Sequence, residues 1–196
     1  MATQTRGRPR KFDRDAALDK ALRLFWRQGY EATSISDLTG ELGIGAPSLY
    51  AAFGDKQKLF NEAIQSYGLH YGGFAFRALT EEPTARAAAA RTLREAATEY
   101  TLPGRPAGCM VISAGLNTTN HDIADMLEGM RNNNVAAFEQ KITADIEAGV
   151  LPESTNARAL ARHIAVVMQG MSQSAQDGAS LEELRYVADL AMRAWP

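Results

Sequence analysis

The chain has 196 residues, 45 % of them hydrophobic, one cysteine and a net charge of −2. That is enough chain for one or two domains with a real core, at a composition normal for a globular protein. A single cysteine excludes an intrachain disulfide framework, and without a run of about 18 apolar residues no membrane span is expected.

The charge is unevenly spread. Residues 1–60 carry ten basic against seven acidic side chains, a balance of +3; the remainder carries 11 basic and 16 acidic, a balance of −5. A basic end on an acidic body suits a protein that offers only its N-terminal part to a polyanion. The N-terminus has charge but no apolar segment behind it, so no signal peptide is expected and the cytoplasm is the expected compartment.

Residues 1–12 contain Arg6, Arg8, Arg10 and Lys11 and no acid. They read either as a solubilising tail or as a basic arm that follows phosphates or enters a minor groove. Asp13 to Arg27 is the first helix, with Asp13 as cap, Leu18, Ala21, Leu22 and Phe25 as its apolar stripe, and Gly29 as its end.

Residues 34–53 then read as two short helices joined by a tight turn. Ser34 and Asp37 have capping-box spacing. Leu38 and Leu42 share a helical face, and Gly43 supplies a left-handed terminus. Pro47 fits the first turn of a second helix, on which Leu49 and Phe53 repeat the spacing. This is a helix-turn-helix pattern, whose second helix can enter a major groove; the same pattern also fits an ordinary αα-hairpin. The basic neighbourhood favours the first reading. The expected three-helix core is Leu18, Leu22, Phe25, Ile35, Leu38, Leu42, Leu49 and Phe53.

Asp55 or Gly54 caps a further helix expected to run to about Leu79, with Lys56 in its first turn and Gly72-Gly73 interrupting it. Taken together, Phe25, Gly29-Tyr30, Thr33-Ser34, Leu38, Leu42-Gly43, Ser48-Leu49-Tyr50, Phe53, Lys56 and Leu59 resemble, in order and spacing, the N-terminal domain of TetR-family transcriptional repressors. The resemblance covers roughly residues 8–62. It implies a DNA-binding dimer, with Ala46, Pro47 and Ser48 facing bases, Tyr50 and Lys56 on phosphates, and Thr33 or Ser34 near the DNA backbone; Arg8 and Arg10 of the basic arm are the further DNA-contact candidates. Ala46, Pro47, Ala51 and Ala52 offer no side-chain donor, so much of the affinity is expected to come from phosphates and to depend on salt.

Beyond residue 60 the chain reads as helical throughout. Ala85 to Tyr100 is alanine-rich, Gly108 to Leu116 is a short apolar helix expected to be deeply buried, and Asp122 to about Glu147 is long. Candidate effector-pocket residues are Tyr67, Tyr71, Phe74, Tyr100, Met110, Met126 and Met130, because aromatics and methionines adapt to irregular ligands; plain core is the alternative for each. Cys109 reads either as a buried apolar group or as a thiol sensor whose pKa the helix start and Arg105 lower. His70, His121 and His163 have no ligand spacing, so no metal or other cofactor is expected. The last two helices, Ser154–Asp177 and Ser180–Trp195, each have two apolar sides. The second side comprises Ala157, Ala161, Ala165 and Met168 on one and Val187, Leu190 and Ala194 on the other. That doubling predicts a homodimer through residues 154–195.

The expected architecture is therefore all-α, with about nine helices: an arm over 1–12, a three-helix helix-turn-helix domain over 13–55, and a larger helical effector-binding and dimerisation domain over 56–196. The expected partners are double-stranded DNA, a second copy and an unknown small-molecule effector, with no membrane. The expected function is a ligand- or redox-responsive repressor on a palindromic operator. A helical protein-binding adaptor is the alternative. No P-loop or nucleophile elbow points to an enzyme.

Overall fold

The computed structural model describes residues 13–196. These contain ten α-helices and one short 3-10 turn, and no strand. They are α1 (Arg14–Ala32), α2 (Ile35–Leu42), α3 (Ala46–Phe53), α4 (Lys56–His70), α5 (Phe74–Glu81), α6 (Ala85–Thr101), α7 (Met110–Ser113), α8 (His121–Glu147), α9 (Ala157–Gln176) and α10 (Leu181–Ala191). The basic segment 1–12, with Arg8 and Arg10, lies outside the described residues.

Local sequence signals set most helix ends. The Asp13 carboxylate accepts from Ala16 N–H at 3.0 Å and opens α1. Ser34 and Asp37 form the reciprocal capping box of α2. Gly43 closes α2 in the left-handed region at φ 68°. At Gly29 the backbone turns to φ 80°, ψ 170°, a conformation open essentially to glycine alone, and this kinks α1 before its last residues.

Two apolar cores hold the chain. The first joins α1 to α4 with α7 and the start of α8. Leu22, Phe25, Leu38, Leu49, Leu59 and Phe60 are among its fully buried members, and each such side chain contributes roughly 1.5–3 kcal/mol. This core extends well past residue 55: it takes in Ala63, Ile64, Tyr67, Met110, Ile123 and Leu127. Leu18 and Ile35, expected inside, are only partly buried against it. The second core joins α5, α6, α8, α9 and α10 around Phe74, Leu93, Tyr100, Phe138, Ile142, Ile164 and Trp195.

Three expectations change. The helix expected over 56–79 is two helices: α4 ends at His70 and α5 starts at Phe74, because Tyr71 leaves helical geometry at φ −128°, ψ −45°. The apolar helix expected over 108–116 shrinks to the four residues of α7, and Leu116 is exposed. On α9 the proposed second apolar side is partly used within the chain, since Ala161 and Met168 are buried; the large apolar residue exposed there is Val166, and on α10 the large exposed ones are Tyr186, Val187 and Leu190.

Candidate nucleic-acid interface

Two features of geometry matter: a displayed helix and a cavity behind it. Helix α3 buries only Leu49 and Phe53. Pro47, Ser48, Tyr50 and Ala51 are exposed, and Ala46 is half-buried at its start. Gly45 precedes α3 without a side-chain cap; Pro47 brings no N–H, and the Ser48 N–H donates to the Gly45 carbonyl at 3.0 Å.

The rest of the helix-turn-helix is braced from α1. Arg14 bridges to Glu62 at 2.7 Å and lies 4.7 Å over the Phe53 ring, tying α1, α3 and α4. Arg27 reaches Glu41 of α2 at 3.3 Å. Lys56 opens α4 with its ammonium 4.3 Å over the Tyr30 ring. Burial pushes the Lys56 pKa down, against the pull of Glu31 and Asp37. Tyr50 is 47 % exposed, its ring free for contact. Ser34 is exposed but engaged as the α2 cap. Thr33 differs from its expected role near the DNA backbone: it is fully buried, and its hydroxyl donates to the Gly29 carbonyl at 2.6 Å. It stabilises the kink and presents nothing outward.

Behind this module lies a cavity of about 210 Å³. Of the residues singled out in the sequence, Tyr67, Phe74, Tyr100, Cys109 and Met130 line it. Three others do not. The Tyr71 hydroxyl donates to Asp19 at 3.0 Å and accepts from Arg23 at 3.1 Å, on the surface between α1 and α4. Met110 is fully buried in the first core, and Met126 packs against that core from α8. The sequence reading also missed Arg131, Asn134, Met168 and Gln169, which line the cavity from α8 and α9. One signal was present. The buried rhythm of α8 runs Ile123, Leu127, Val135, Phe138, Ile142, and the stretch between Leu127 and Val135 holds the cavity residues.

Cys109 caps α7, and its N–H donates to Ser172 Oγ at 2.8 Å. Burial pushes the thiol up, outweighing the hydrogen bonds from Tyr67 and from the first turn of α7. The expected lowering does not occur. Arg105 pairs instead with Glu99 and lies 5.4 Å from the Tyr71 ring. Among the described residues no group of three or more His, Cys, Asp or Glu could hold a metal ion. No described helix is long and apolar enough to cross a membrane.

Similarity to known proteins runs over nearly the whole length. The family model for bacterial regulatory proteins of the tetR family matches residues 17–63, from α1 into α4. The HTH-type transcriptional repressor ComR of Escherichia coli (strain K12) is 37 % identical over 98 % of this chain and 93 % of its own. The chain belongs to the TetR family. It is a DNA-binding transcriptional regulator rather than an enzyme, and a second repressor, BdcR of the same organism, is 31 % identical over 96 % of it and 91 % of BdcR. Among solved structures, a cysteine mutant of the TetR-family regulator CifR, complexed with 26 bp double-strand operator DNA, superposes with TM-score 0.89 at 38 % identity. That match covers 97 % of this chain and 100 % of the CifR chain.

Proposed function

We propose that this TetR-family regulator is a repressor that binds a palindromic operator as a homodimer and is released by a small molecule in the cavity. Residues 1–55 act as the DNA-binding part and 56–196 as the effector and dimerisation part. Ala46, Pro47 and Ser48 face bases. Tyr50, Lys56 and Ser34 lie along the phosphates, with Arg8 and Arg10 in the arm. Two copies pair through α9 and α10, with Val166, Tyr186, Val187 and Leu190 at the seam. Their α3 helices then sit one or more helical turns apart, roughly 34 Å per turn. The cytoplasm is the compartment where such a regulator works.

The observation that supports ligand control is a continuous connection from cavity to DNA module. Cys109, Val111 and Ile112 line the cavity on and beside α7. The carbonyl of Ala114, just after α7, accepts from Tyr30 N–H at 2.9 Å. The Thr118 and Thr119 hydroxyls each donate to Glu31 at 2.9 Å, and Asn120 donates to Gln57 of α4 at 3.3 Å. A ligand that displaces α7 therefore pulls on α1 and α4 together, and with them on α3. It shifts operator affinity only by its different affinity for the two arrangements.

The test is fluorescence anisotropy on palindromic fragments selected from the source genome, read across salt concentrations, with light scattering for mass. The expected result is a dimer whose affinity falls steeply with salt. A monomer that binds no duplex fragment contradicts the reading.

A further inference from the structure

The cavity lining has a chemistry that narrows its ligand. The wall is largely apolar, with Phe74, Val111, Ile112, Met130 and Met168. Its charged group is Arg131, and no Asp or Glu lines it. Arg131 donates one N–H to the Val111 carbonyl at 2.9 Å. Among the described residues no carboxylate lies within ion-pair distance of that guanidinium. Asn134 stands one turn further along α8 and Gln169 faces from α9, both in the lining.

Tyr100 is among the residues around the same cavity; it is 1 % exposed, and its hydroxyl oxygen is sealed from the open space, beside the Cys109 thiol. An apolar cavity of about 150 Å³ accommodates benzene. The volume here, about 210 Å³, leaves room for a ring with two small polar groups.

We propose that the cavity binds a small organic acid. Its carboxylate pairs with the Arg131 guanidinium, whose planar fork matches that shape. Its apolar body, about one ring in size, lies against Phe74, Met130 and Met168. A cation meets Arg131 and finds no acid to pair with. A purely apolar ligand leaves the guanidinium without an anion in a drier site. The proposal rests on the reading of this cavity as the effector site.

The experiment uses the full chain and three near-isosteric probes: 4-hydroxybenzoate, 4-hydroxybenzamide and 4-hydroxybenzylamine. Calorimetry reads binding, and anisotropy with the operator reads release. The expected order is acid, then amide, then amine, with the acid about tenfold or more tighter than the amide. Arg131→Gln brings the acid down to the amide's level, and Arg131→Lys recovers part of the loss. Should Arg131→Gln not fold, the order of probes on the unaltered protein decides. Equal binding of acid and amide, preferential binding of the amine, or no binding by any probe overturns the proposal. The two readings separate cleanly. If the acid binds without changing operator affinity, the ligand class stands and the effector reading falls. If the amide releases the operator and the acid does not, the effector reading stands and the ligand class falls.

Discussion

The backbone N–H of Tyr30 donates to the carbonyl of Ala114 across 2.9 Å, joining the end of α1 to the segment that follows the cavity helix α7. The contact exists because Gly29 takes φ 80°, ψ 170°, which swings Tyr30 toward α7. A side chain at Gly29 would stand 3.3 Å from the Ala114 oxygen as well as adopt a strained backbone.

Gly29→Ala is therefore expected to destabilise the fold by about 1–3 kcal/mol and to weaken the response of operator affinity to any cavity ligand. Urea unfolding measures the first effect and anisotropy with and without ligand the second. Unchanged values for both contradict the assigned role of this kink.

Glu31 gives a pH signature. The hydroxyls of Thr118 and then Thr119, with the Thr119 N–H, hold its carboxyl below the ordinary value. A depressed carboxylate contributes stability that is present above its unfolded pKa and lost as pH falls through the folded one. The gap in melting temperature between the natural chain and Glu31→Gln should be steady above the ordinary carboxyl range and close as pH falls below it. A gap that widens in acid runs against the assignment.

Asp145 is buried on α8, and its carboxylate accepts from Ala85 N–H at 2.7 Å, capping α6 from another helix. Asp145→Ala leaves that buried N–H unpaired and should cost about 1–3 kcal/mol. Asp145→Asn, which keeps an acceptor oxygen, should recover part of the loss. Urea midpoints for the two variants measure the difference.

Val187 and Leu190 are each 41 % exposed on one face of α10. Charging them both, as Val187→Glu with Leu190→Glu, should halve the mass seen by light scattering and weaken operator binding while leaving helical content unchanged. A retained dimer would place the pairing surface elsewhere.

Local chemistry was legible in the sequence wherever it acts over a few residues. The Ser34–Asp37 capping box, the left-handed Gly43 and Pro47 at the start of α3 all stand as their spacing predicts. Residues whose surroundings are set by distant segments were not legible. Thr33 looks like an exposed polar residue before a cap, yet the Gly29 turn folds it inward. Tyr71 shares a helical spacing with Tyr67, but the helix ends at His70, and the ring turns out toward Asp19 and Arg23. The cavity draws on six helices, so Arg131 and Gln169 meet only after α8 and α9 pack. The break at Gly72-Gly73 was visible as a weak point, though not as the end of one helix and the start of another.

The central claim is that α3 and the start of α4 grip operator DNA. Its most direct test is the operator affinity of Tyr50→Ala with Lys56→Ala, measured by anisotropy on a double variant shown to be folded and dimeric. The account predicts that binding is lost, with the salt dependence of any residual binding reduced. Operator affinity equal to that of the unaltered chain would contradict it.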